Sequence, residues 1–259
     1  MPSISQHGIK INYIDRGNGF PLVFLPGLLG SSSIFEYQIS GLSDHYRVVS
    51  YDFHPAILKR GRKLSFFVDS LIHILNLLKI NSCVLTGHSF GALIAMEAAI
   101  LNPELVLAAI LVSPSADDKN VSKNELIQSE LLPGMKVQSW IEKIFKKNII
   151  QNENILPSSL VNLKDKIIQP DKSAIVRAAS LMLSTQVSNM IISHSIPLLI
   201  TAGANEKPWV LSTAQKIHEI SSNSRLEIIE SADHFFPYTK HDELNTLIND
   251  FLSHLKLSP

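Results

Sequence analysis

A serine hydroxyl attacks a carbonyl carbon only when a neighbouring base takes its proton, and Gly87-His88-Ser89-Phe90-Gly91 is a stretch that offers a serine for that purpose. The five residues fit G-x-S-x-G. Before them lies the apolar run 83–86, of strand length, and after them the Ala-rich run 92–101, of helical character. A sharp strand-to-helix corner forces its central residue into a strained conformation, and flanking side chains would collide, so those positions must be glycine. At average Gly and Ser usage a chain of this length would hold about 0.1 such matches by chance, so the strand and helix context carries much of the weight. A turn whose serine only caps the next helix would also satisfy the bare pattern.

The elements around this corner alternate. Residues 9–14, 22–25 and 47–51 read as strands, and Phe67, Leu71, Ile74, Leu75 and Leu78 recur at the spacing of a one-faced helix over 66–78. The almost purely apolar run 107–112 predicts a strand buried on both faces of a parallel sheet. After Pro114 the pattern turns helical and rich in Lys and Asn, with helices expected at 141–145, 160–168 and 174–182 between breaks at Pro157 and Pro170. Strands return at 197–201 and 226–229, each followed by a helix, near 210–220 and 242–255. The fold class expected is α/β: one domain over 1–259, with a mostly parallel central sheet, helices on both faces, and an inserted helical cap over 115–195.

With the corner and this order of elements, the chain resembles the α/β-hydrolase superfamily over residues 9–255. The resemblance implies a chain order of Ser, acid, His, with the acid after a late strand and the histidine after the last one. Ser231-Ala232-Asp233-His234-Phe235-Phe236 is similar to the family's histidine loop, which makes His234 the general base for Ser89. In Gly203-Ala204-Asn205-Glu206 the acid position falls on Glu206, where the family usually has Asp; Asn205 beside it could orient an imidazole but not offset its charge. Asp117 or Asp118, beyond the strand ending at Val112, is the other place for the acid. The resemblance also implies an oxyanion hole from the backbone N–H groups of Phe90 and of Leu28, in Pro26-Gly27-Leu28. The loop Asp52-Phe53-His54-Pro55 departs from the family's Asp-x-Arg-Gly-x-Gly, and His54 reads as a loop residue.

The predicted pocket lies between the sheet edge and the cap, lined by Leu28, Leu29, Phe90, Phe235, Trp140, Ile144 and 181–183, which suits a small to medium apolar acyl group. The function expected is hydrolysis of a carboxylic ester or thioester through an acyl-enzyme on Ser89. C–C bond cleavage by the same residues, or a ligand-binding member without turnover, are the alternatives. No metal or organic cofactor is implied: HExxH and paired CxxC are absent, and Gly17-x-Gly19 reads as a turn. Lys plus Arg and Asp plus Glu are 23 each, so neither nucleic acid nor an anionic membrane is an expected partner. The basic run Lys59-Arg60-Gly61-Arg62-Lys63 fits a solvated loop at least as well as a phosphate site. The single cysteine, Cys83, reads as core, and the N-terminus lacks an export signal's basic and apolar regions, so the cytoplasm is the expected location.

Overall fold

In the computed structural model, residues 2–6, 8–28, 31–116, 172–190, 196–255 and 257 are described. Their apolar and alternating runs form eight strands: β1 (Ser3–Gln6), β2 (Ile9–Arg16), β3 (Pro21–Leu25), β4 (Arg47–Tyr51), β5 (Cys83–His88), β6 (Val106–Val112), β7 (Leu198–Gly203) and β8 (Ser224–Ile229). They pair in the order β1-β2-β4-β3-β5-β6-β7-β8. The pairs β1–β2 and β2–β4 are antiparallel and every later pair is parallel. Every residue of β5 and β7 is buried, as expected for strands covered on both faces.

The period of two along each strand divides the core into two layers. Val23, Leu85, Leu111 and Ile200 point to one side, into a cluster with α3 (Leu64–Leu77), α4 (Phe90–Leu101) and α6 (Pro208–Ile220). Their neighbours Phe24, Val84, Ile110 and Leu199 point to the other, against α1 (Glu36–Leu42) and α8 (His241–Ser253). Alanines at 92, 95, 98 and 99 line α4, and they are all buried. Burial pushes the Cys83 thiol up to about 12, consistent with a core residue and not a nucleophile.

Three features exceed the sequence reading. β1 is an added antiparallel edge strand, and its four residues were too few to show a period. His54 is a loop residue, as expected, and also a helix cap: its Nδ1 accepts from the Ala56 N–H at 3.1 Å and starts α2 (Pro55–Arg60), with Pro55 preset for the first turn. Lys59 and Arg60 end that helix, where the dipole favours cations. Of the helices expected in the insertion, 174–182 falls within α5 (Lys172–Ser184), while 141–145 and 160–168 lie outside the described residues. Ser115 and Ala116, the first residues of the expected 115–195 insertion, are buried in the core, with the Ala116 carbonyl accepting from Thr213 Oγ1 at 2.9 Å. Among the described residues no helix is long and apolar enough to cross a membrane.

Candidate active site

The corner at Ser89 is as tight as its glycines suggest. A Cβ on Gly87 would lie 2.2 Å from the Gly91 carbonyl oxygen, and one on Gly91 would lie 2.2 Å from that of Leu25. Both approaches are backbone to backbone, so neither can give way. Ser89 sits at φ 54° and ψ −114°, a region that side chains rarely occupy. Its N–H is held by the Val112 carbonyl at 2.9 Å, which ties the corner to the end of β6. Among the described residues four non-glycines have positive φ: Lys79 ends α3, and Ser89, Ser113 and Ser231 follow the ends of β5, β6 and β8. Strain is thus concentrated at the carboxyl edge of the sheet.

Two loops at that edge bring an acid to an imidazole. After β7, the Ala204 N–H donates to the Ile229 carbonyl at 2.9 Å and the Asn205 N–H to that of Ala232 at 2.8 Å. Gly203 permits this closeness, since a Cβ there would meet the Ala232 carbonyl oxygen at 2.3 Å. With the loops joined, both oxygens of Glu206 lie 3.0 Å from His234 Nδ1. The carboxylate is nearly buried, at 2% side-chain exposure, and the imidazole is 31% exposed. A carboxylate facing Nδ1 places the ring proton there and leaves Nε2 as the basic nitrogen. Glu206 accepts a second hydrogen bond, from the Ser113 hydroxyl.

Four further side chains, Ser115, His88, Asp52 and Asp233, complete the arrangement; the last three stand in motifs or loops read from the sequence, which gave them no role at the site. The Ser115 hydroxyl donates to the Ser113 carbonyl at 2.9 Å, so its lone pairs are left to accept from the Ser89 hydroxyl at 3.4 Å. His88 Nε2 donates to the His234 carbonyl at 2.9 Å, and the two rings lie 4.7 Å apart between centroids. Burial, reinforced by His234, holds the His88 imidazole well below its usual titration range, so the ring is neutral near pH 7. Asp52 accepts from the Ser32 N–H at 2.8 Å and anchors the chain after the Pro26–Gly27 loop; burial raises its carboxyl, against that hydrogen bond. Asp233 accepts from the Phe235 N–H at 2.9 Å, which fixes the turn carrying His234; burial raises its carboxyl too.

The backbone N–H groups expected to meet an oxyanion lie on adjoining loops. Phe90 opens α4, where the first N–H groups have no intrahelical acceptor. Leu28 is half-buried in the turn after β3. The two loops are in contact, because a Cβ on Gly27 would lie 3.3 Å from Ser89 Cβ. The Phe90 ring is fully buried against Phe67, with centroids 5.1 Å apart, and so packs in the core. Phe235, Met182 and Leu183 are buried and Leu181 is half-buried. Leu29, Trp140, Ile144, Asp117 and Asp118 lie outside the described residues. Among the described residues, Glu206 is the carboxylate bonded to His234 Nδ1, and Asn205 is engaged through its backbone in joining the loops. No group of side chains with the makeup of a metal site occurs among the described residues.

A parallel sheet with a strained serine after β5, a carboxylate after β7 and a histidine after β8 defines a hydrolase-type architecture. The chain belongs to the α/β hydrolase fold family, whose model matches residues 21–190, more than half of the chain. A putative carbamate hydrolase RutD of Serratia proteamaculans is 27% identical over 127 residues, covering 46% of this chain and 47% of that protein. Another, of Agrobacterium fabrum, is 22% identical over 243 residues, 87% of this chain and 90% of its own. Among solved structures, an enol-lactonase of Burkholderia xenovorans LB400 has a TM-score of 0.80 at 16% identity, covering 98% of this chain and 100% of that one. A meta-cleavage product hydrolase of Pseudomonas fluorescens IP01 has a TM-score of 0.77 at 19% identity, covering 98% and 97%. At these identities the structural likeness shows the fold.

Proposed function

We propose that this chain is a serine hydrolase that cleaves a carboxylic ester or thioester of a small to medium apolar acyl group. The observation that carries the reading is the pair of 3.0 Å contacts from Glu206 to His234 Nδ1, on loops joined beside a strained Ser89. In this reading Ser89 Oγ leaves Ser115, gives its proton to His234 Nε2 and bonds to the substrate carbonyl carbon. The N–H groups of Phe90 and Leu28 stabilise the resulting oxyanion. The imidazolium then protonates the leaving alcohol or thiol as its bond to carbon breaks. Water, deprotonated by the same nitrogen, releases the acid and restores Ser89. Glu206 orients the imidazole and offsets the imidazolium charge. In this reading the protein acts on a small molecule in the cytoplasm.

The enol-lactonase supports this reading as a structural neighbour named for a cyclic ester substrate. The meta-cleavage product hydrolase keeps C–C bond hydrolysis as a second reading, with the same residues activating water or substrate. The test is labelling of the intact protein with a fluorophosphonate probe, the modified peptide being mapped by mass spectrometry with Ser89→Ala as control. Labelling confined to Ser89, followed by turnover of p-nitrophenyl acyl esters or acyl thioesters, is the expected result. A folded protein that neither reacts with the probe nor hydrolyses these esters would overturn the proposal in favour of a ligand-binding role.

A further inference from the structure

The basic run at residues 59–63 is left without a part in the chemistry above, yet its centre borders a groove. This groove, of about 800 Å³, lies between the end of α2 and one face of α5. Gly61 and Arg62 form one wall, and Ser173, Val176, Arg177, Ser180, Leu181 and Ser184, at helical three- and four-residue spacing, form the other. The first wall is closely packed: a Cβ on Gly61 would lie 2.2 Å from the buried Phe67 ring, which favours glycine there. The second is held by its opposite face, where Ala174, Ala178, Met182 and Leu183 are buried in the same core as Ile57 and Leu58 of α2.

The groove's chemistry is one-sided. Arg62 and Arg177 line it and its described walls contain no carboxylate. Arg177 Nε is buried and has no hydrogen-bond partner among the described residues, so part of that guanidinium is unsatisfied. The Ser180 and Ser184 hydroxyls donate to the Val176 and Leu181 carbonyls, which leaves their oxygens able only to accept further bonds and keeps the arginines as the anion's donors. Val176 and Leu181 supply apolar surface beside the charges. A planar guanidinium fork matches the oxygens of a carboxylate or phosphate, whereas an uncharged ligand would leave both cations unpaired.

We propose that this groove binds an amphipathic small molecule by its anionic end, a carboxylate or phosphate held between Arg62 and Arg177, with its apolar stem along Val176 and Leu181. The test is isothermal titration of the full chain with octanoate, octyl phosphate, inorganic phosphate and octanol, repeated in R62Q and R177Q. Circular dichroism serves as the check on folding, and S89A removes any reaction at the serine. The expected result is binding of one or both amphipathic anions, unchanged in S89A, at least tenfold tighter than octanol, and weakened about tenfold by each arginine substitution. Raising ionic strength should weaken it as well. The tighter of octanoate and octyl phosphate identifies the preferred end group. Absence of binding, equal affinity for octanol, or affinity untouched by both arginine substitutions would overturn the proposal. Inorganic phosphate binding as tightly as octyl phosphate would overturn the role given to the apolar wall. None of these outcomes depends on whether Ser89 is reactive.

Discussion

Replacing Glu206 by glutamine preserves shape and removes one charge. In the parent, the carboxylate oxygens stand 3.0 Å from His234 Nδ1. At that separation and an effective dielectric of about 20, an imidazolium and a carboxylate attract by about 5.5 kcal/mol. At 1.36 kcal/mol per decade this corresponds to roughly 10⁴ in rate if the attraction is felt only once His234 takes the Ser89 proton. Solvent reaching the 31% exposed imidazole trims the figure, so a loss of about 10³ to 10⁴ is expected. A glutamine also presents an NH₂ group to a site where both neighbours, Ser113 and His234, are donors. The assay is the second-order rate of fluorophosphonate labelling at Ser89, alongside turnover of a short p-nitrophenyl ester. A folded Glu206→Gln protein within tenfold of the parent in both would refute the reasoning and move the acid to Asp117 or Asp118.

Ser113→Ala removes a hydroxyl donor from the buried Glu206 carboxylate; labelling should slow about tenfold, following the 1–3 kcal/mol typical of such a loss. Gly91→Ala drives a Cβ to 2.2 Å from the Leu25 carbonyl oxygen, so the chemical-denaturation midpoint should fall by the equivalent of about 1–3 kcal/mol, with labelling lost in parallel. His88→Phe keeps an aromatic ring but loses the bond to the His234 carbonyl, so kcat should fall with KM little changed, and His88→Gln, which retains a donor, should recover part of it. Because the folded protein holds His88 neutral while the unfolded chain protonates it near 6.5, its contribution to stability is lost as pH falls below that value. Thermal melts of His88→Gln between pH 7 and 5 should therefore decline less steeply than those of the parent.

Residues whose constraint is local could be read from the sequence. Gly87 and Gly91 answer to a corner a few residues long, and β5 to β7 to apolar runs between turns. The position of Glu206 followed from its distance past a strand, but spacing alone left Asp117 and Asp118 open, and the meeting with His234 depends on two loops joined side by side. Ser113 reaches Glu206 across 93 residues, and Asp52 reaches Ser32 across 20, with nothing periodic to mark either. His54 and α2 escaped because a six-residue helix shows too little of a stripe. Leu181, expected in the substrate pocket, lines the groove with Arg62 and Arg177, and the basic run was the visible trace of that groove.

His234 follows β8, which among the described residues has a partner strand on one side only. An outermost strand is the first to fray under heat or denaturant, since fewer bonds hold it than hold β5 or β6. Ser89 lies near the middle of the sheet and Glu206 one strand in from the edge. The three groups therefore sit on ground of unequal firmness, with His234, the proposed proton acceptor, on the weakest. Reactivity at the serine should vanish while most of the protein is still folded, and it should return late during renaturation, when the final strand docks. For a chain still being synthesised this order also keeps Ser89 apart from its proposed base until residue 234 has been made.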